Sequence, residues 1–265
     1  MAGYSKAQLL EISTQLATAY REAERELVTL IAKADLTRWQ RQRTQAQLVA
    51  VRDVLTELGE TTQEWGQMHL PGLYRAGVDM VDSATGELLA EFTALHTESV
   101  QLLSENLVTN TTDVLQMVGR RINDTFRQAG LSALQETTVL GGTRVDATRR
   151  MVEALIDDGI YAVQYRDGSV HALGDYGEMV ARTTSREVQN TAVENRMAEL
   201  GEDLVKISTH SGACPLCQPW EGKVLSLSGK TGGYPTLDEA KAAGLFHPRC
   251  VHIQMPYVAR YAEAV

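Results

Sequence analysis

A chain of 265 residues, 43% hydrophobic and 22% charged, has the composition of a soluble globular protein and the length for two modest domains. Its formal charge of -9 is acidic in both halves, which excludes a broad basic platform for nucleic acid and leaves at most a small patch such as Gly119 to Arg121. No apolar run approaches the eighteen or so residues of a membrane span, and "MAGYSKAQLLEIS" lacks the basic and apolar regions of a signal peptide. The expectation is folding in a reducing cytoplasm, where three cysteines argue for metal binding or plain burial rather than a disulfide framework.

The first predicted element is a long helix. Leu9, Ile12, Leu16, Tyr20, Ala23, Leu27 and Ile31 recur at three- and four-residue steps with charges between them. Asp35 is a candidate N-cap for a second helix through Trp39, Leu48, Val51 and Leu55 towards Gly59. Thr61 and Glu64 have capping-box spacing and predict the start of a third, which Pro71 and Gly72 should interrupt. Helical periodicity resumes from about Leu88 to Leu134, with a break predicted at Asn110 to Thr112 and an end at Gly130. These stripes read as packing faces.

After Gly141 and Gly142, a natural hinge, the pattern changes. A short helix is predicted around residues 145–157. Apolar and polar residues then alternate on both sides of Asp167-Gly168, the signal of a β-hairpin. A helix through "EMVARTTSREVQNTAVENRMAEL" should stop at Gly201, and "DLVKIST" reads as a strand that delivers the chain to His210. The predicted class is α+β: an elongated, mostly helical part over residues 1–140, then a small α+β domain over residues 141–265.

All three cysteines and three of the six histidines fall in two short stretches, "HSGACPLCQPWEGKV" and "FHPRCVH". Cys214 and Cys217 form a C-x2-C knuckle, a spacing that lets two thiolates face one tetrahedral ion from a tight turn. His247, Cys250 and His252 add an H-x2-C-x-H group, so that with His210 there are six candidate ligands for an ion that needs four. Three sulfurs and one imidazole would make a structural zinc (Zn2+) site closing the chain between the stretches into a loop. The competing readings are small buried thiols with backbone-bonded histidines, and a redox dithiol, for which the neighbouring residues offer little thiol activation. Glu221, beside the knuckle, reads first as a turn or salt-bridge residue, and second as a general base for a catalytic zinc. The deaminase pattern, with H-x-E before P-C-x-x-C, and the metalloprotease H-E-x-x-H are both absent.

Three ordered segments carry a family resemblance: "YRDGSVHALGDYGEMVARTT" (165–184), "VKISTHSGACPLCQPWEGKVLSLSG" (205–229) and "GYPTLDEAKAAGLFHPRCVH" (233–252). Across about residues 145–257 the chain resembles the phage minor capsid protein 2 family, relatives of the head morphogenesis proteins typified by the F protein of phage Mu. Many of those relatives end in His-Pro-x-Cys-Arg-Cys. Here Val251 and His252 stand at the last two positions, which keeps a metal ligand and removes an arginine that could meet phosphate. The shared His-Pro-x-Cys puts His247 first as partner to Cys214, Cys217 and Cys250.

The resemblance implies structural work rather than turnover. It implies a virion component at the portal vertex or capsid interior, passing through the host cytoplasm during assembly, with a role in head morphogenesis or in genome packaging and ejection. The implied partners are the portal protein or the major capsid protein, with self-association through the N-terminal helices and no membrane. Packaged DNA would be nearby, although the acidic balance argues against direct DNA binding. The alternative weighed against this is a metal-dependent hydrolase or toxin-like effector carried in the phage head, resting on the cluster and Glu221.

Overall fold

The structure, a computed structural model, describes residues 6–33, 41–89, 91–139, 144–165 and 168–258. Helices dominate. α1 spans Lys6–Ala32, α2 Arg41–Thr85, α3 Ala94–Val139, α4 Arg144–Asp157 and α5 Leu173–Glu199. A short α6 covers Leu237–Ala242. The strands are brief and antiparallel: β1 (Val163–Gln164) pairs with β2 (Val170–His171), and β3 (Leu204–Ile207) lies between β4 (Val224–Ser226) and β5 (Gln254–Pro256). The α+β class is the one expected. Among the described residues no helix is long and apolar enough to cross a membrane.

Three expected interruptions are corrected. Thr61 opens no new helix, Pro71 ends none, and α3 runs without a break through Asn110 to Thr112 and past Gly130. The buried positions explain why. On α3, residues 107, 111, 115, 118, 122 and 126 are all buried at three- and four-residue steps, so one face continues in register through the polar triplet. Thr111 sits on that face, and its hydroxyl is satisfied by the carbonyl of Val108 at 3.1 Å. On α2, Thr62 is buried and donates to the Leu58 carbonyl, while Leu70, Leu73 and Tyr74 bury the turns around an exposed Pro71. Tertiary burial outweighs the local breaker signals, as it commonly does for long amphipathic helices. Asp35, Trp39, the 141–142 hinge and Asp167 lie outside the described residues. Gly168, which follows Asp167, has a positive φ of 86° between β1 and β2.

The chain divides into two compact units, each assembled from separate stretches. One comprises residues 15–64 and 108–178. Its core holds Leu16, Tyr20, Leu27, Leu55, Leu115, Ile122 and Phe126, and the Tyr20 hydroxyl lies 3.1 Å from the Thr62 hydroxyl.

The other unit comprises residues 1–14, 65–107 and 179–265. Here α2 and α5 cross at near backbone contact: a Cβ on Gly77 would lie 2.6 Å from Ala192 Cβ and 2.7 Å from the Gln189 carbonyl oxygen. A buried ion pair, Arg196 Nε to Asp82 Oδ1 at 2.7 Å, and the His96–Glu199 contact at 2.9 Å fasten the same region. The small sheet packs its apolar face, Val205, Ile207 and Leu225, into a cluster with Val81, Val193, Met197, Leu237 and Leu245. Cys217 and Cys250 belong to that cluster too. The candidate site is thus built on the core of this unit.

Candidate metal centre

β3 ends at Ile207, and the next three residues begin the site. Ser208 is pinned at its amide by the Ile253 carbonyl, and its hydroxyl accepts the Ile253 amide, which locks the strand end to the segment entering β5. The knuckle folds as a tight turn in which the amides of Cys217 and Gln218 both donate to the Cys214 carbonyl. A single 3-10 turn, Gln218–Trp220, then returns the chain to β4. The second stretch is a turn closed by the Cys250 amide donating to the His247 carbonyl at 3.0 Å. Phe246, just before it, and Arg249, inside it, have positive φ, 64° and 66°, the left-handed region that costs a side-chain-bearing residue energy unless its surroundings hold it there.

Five of the six expected ligands converge. Cys214 Sγ is 2.9 Å from His247 Nε2, Cys217 Sγ is 3.4 Å from Cys250 Sγ, and Cys250 Sγ is 3.4 Å from His252 Nδ1. Cys214, Cys217 and His247 form one group of donor atoms within 4.8 Å of each other, and Cys217, Cys250 and His252 form a second, with Cys217 common to both. The sixth, His210, stands apart: its Nε2 is 2.9 Å from the Ser208 hydroxyl, and its ring packs edge-on against His252 at 4.9 Å.

The cluster can hold a metal ion. Three thiol sulfurs and imidazole nitrogens are the donors that zinc selects. Ligand sulfurs around a tetrahedral zinc lie about 3.8 Å apart, given Zn–S bonds of about 2.3 Å. The Cys217–Cys250 separation of 3.4 Å is close to that, but Cys214 and Cys250 belong to different groups, so one ion on all three sulfurs would require the two turns to draw together. Each imidazole is also oriented from behind. His247 Nδ1 is 2.7 Å from the Pro248 carbonyl, a bond that makes Nδ1 the protonated nitrogen and turns the Nε2 lone pair towards the sulfurs. His252 Nε2 is 3.0 Å from Glu221 Oε1, which leaves Nδ1 for the cluster. A ligand histidine backed by a carboxylate or a carbonyl is the usual arrangement at zinc.

Glu221 therefore has an orienting position. Its Oε1 accepts the His210 amide at 2.6 Å as well as the His252 ring, and the His210 amide, followed by His252, holds its carboxyl below the usual range. The thiols are unlike one another. Cys214 is lowered to about 7, first by the Cys217 amide and then by His247, while burial pushes Cys217 up to about 12. Cys217 thus needs a cation more than Cys214 does before it can serve as a thiolate.

Sequence reasoning did not single out Arg186 or Ser208. Arg186 sits mid-way along α5, and its Nη1 donates to the His247 carbonyl at 2.9 Å and the Cys250 carbonyl at 3.3 Å. Nothing near residue 186 in the sequence signals this, because its acceptors lie more than sixty residues away. Asn190, one turn on, accepts the Gln254 amide at 2.9 Å and so fixes β5 to the same helix.

Two comparisons returned nothing: no curated protein and no solved structure matches the chain. The sequence model of a family described as phage minor capsid protein 2 matches residues 5–264, nearly the whole length, and the chain belongs to that family.

Proposed function

We propose that this minor capsid protein is a non-enzymatic component of a tailed-phage head, seated at the portal vertex or on the inner capsid surface. There it would bind the portal protein or the major capsid protein and serve head morphogenesis or genome packaging and ejection. One structural zinc ion in the cysteine–histidine cluster would hold its small sheet together. The observation that carries the capsid reading is the family match over residues 5–264. Apolar side chains left exposed along the long helices, such as Leu10, Met68 and Leu102, suit docking on partners or on further copies. The zinc reading is supported by the convergence of five donors from two chain segments, with both imidazoles oriented from behind.

In such a centre Cys214, Cys217 and Cys250 would supply three ligands, with His247 or His252 as the fourth. The ion would cross-link the knuckle to the turn before β5 and, with the cysteines in the core cluster, contribute to folding directly. The hydrolase alternative drew on Glu221 as a base. Its engagement by His210 and His252 favours an orienting role instead.

Cross-linking of intact heads followed by mass spectrometry should join this polypeptide to the portal or the major capsid protein. Heads that lack the polypeptide, or that assemble and infect normally after its gene is deleted, would overturn the capsid role. For the ion, elemental analysis of purified protein should give one zinc per chain, and Cys214→Ser should lose it and melt earlier. A metal-free wild type that melts with the variant would return the cluster to ordinary packing.

A further inference from the structure

Arg186 is the feature that neither the family nor the ligand spacing explains. Only 9% of it is exposed, yet among the described residues no carboxylate forms an ion pair with it. A buried guanidinium is strongly disfavoured without compensation, and here the compensation comes without an ion pair, from the sulfurs of the ligand segments and from the Glu187 carboxylate. One side lies over the Phe246 ring, with Cζ 5.5 Å from the centroid. The other is directed at the ligand turn, through the carbonyls of His247 and Cys250. Burial lowers the guanidinium's pKa, and the Cys250 sulfur, the Glu187 carboxylate and the Cys217 sulfur oppose that shift.

A closer counter-charge appears once the ion is counted. Three thiolates and a neutral imidazole around a divalent cation sum to one negative charge, and Arg186 carries one positive charge. The same side chain also holds a turn strained at Arg249 within it and at Phe246 before it, by bonding two of its carbonyls.

We propose that Arg186 is the built-in counter-cation and positioning residue of the ion-loaded cluster, neutralising its third thiolate and fixing the turn that presents His247 and Cys250. This rests on the zinc reading above and deepens it. It makes the site one that prefers a divalent ion on three sulfurs over the same ion on two.

The test measures zinc affinity by competition with a chromophoric chelator, and follows the sulfur-to-metal charge-transfer band of the cobalt-substituted full-length protein. Outer-shell partners typically contribute 10–100-fold in metal affinity, so Arg186→Gln should weaken zinc by about that factor and shift the cobalt band. Arg186→Lys keeps the charge but gives up the paired carbonyl bonds. It should recover most of the loss, and it keeps the test readable should the glutamine variant fail to fold. The deciding arm repeats Arg186→Gln in a Cys214→His background, where four ligands remain but the loaded cluster is neutral. There the loss should shrink to less than about threefold, because the charge term has been removed. An Arg186→Gln affinity unchanged from wild type, or an equal loss in both ligand backgrounds, overturns the counter-cation role while leaving the zinc site standing. A wild type that retains no zinc overturns both.

Discussion

The long helices α2 and α3 and the segment from β3 to β5 are held in opposite ways. Along α3 the buried face spans residues 107 to 126 with no single dominant contact, and α2 continues through an exposed proline because packed turns lie on both sides of it. Between residues 204 and 258 the strands are three or four residues long, and the structure leans on a few polar centres. These are the cysteine–histidine cluster, the Asp203 carboxylate with its serine and threonine donors, and the capping box on α6. A distributed interface tolerates local insults. A concentrated one fails at particular atoms, and that is where function and stability coincide.

Ion removal is the largest test of this contrast. Stripping the proposed zinc with a chelator should release amide-exchange protection in β3, β4 and β5, at a cost of several kcal/mol to that segment, while α3 retains its protection. Equal loss in both regions, or none in either, would break the comparison. Next comes Gly77→Ala. Helix propensity alone favours alanine by about 1 kcal/mol. The new Cβ would meet Ala192 Cβ and the Gln189 carbonyl well inside contact distance, and overpacking of that kind costs about 1–3 kcal/mol. A lower melting temperature is expected; a higher one would mean that the α2–α5 crossing yields easily.

The same contrast decides how much the sequence disclosed. Helix α1, the hairpin, α5 and β3 were legible because periodicity and turn residues suffice for elements that obey them. The false breaks arose where a polar residue occupies the buried stripe. Thr111 lies inside the triplet that reads as a break, and Thr62 follows the Thr61 that reads as a helix start, yet each satisfies its hydroxyl within its own helix. The cysteine–histidine cluster was legible because candidate ligands carry their own spacing, and the fold gathers five of the six into two groups that share Cys217. What remained hidden acts across chain distance. Arg186, Ser208 and the orienting contact of Glu221 are ordinary polar residues until the fold brings the second stretch back beside the first.

Asp203 offers a smaller effect with a pH signature. It accepts hydrogen bonds from the side chains of Ser226, Ser228 and Thr231 and from the Ser228 amide, and these hold its carboxyl far below the usual range although burial opposes them. A depressed folded-state pKa contributes stability that is fully present above the unfolded value of about 3.9 and is lost as pH falls below it. Asp203→Ala should therefore cost about 2 kcal/mol at neutral pH, and the gap from wild type should narrow as pH drops below about 4. A gap independent of pH would assign the loss to packing rather than to the carboxylate.

The smallest pair is also the sharpest, because it sets one capping motif against another of similar spelling. Thr236 accepts the Glu239 amide at 3.1 Å, and Glu239 returns a bond to the Thr236 amide at 2.8 Å, so Thr236→Ala should cost about 1 kcal/mol. Thr61 and Glu64 have the same spacing, but Thr61 lies inside α2, where no helix N-terminus exists to cap. Thr61→Ala should then fall within a few tenths of a kcal/mol of wild type, on the stabilising side, as alanine is the better helix former. Urea melts of the two variants measure this directly. If Thr61→Ala were to cost as much as Thr236→Ala, a helix would begin at residue 61 after all, and the continuity of α2, on which the distributed side of the comparison depends, would be lost.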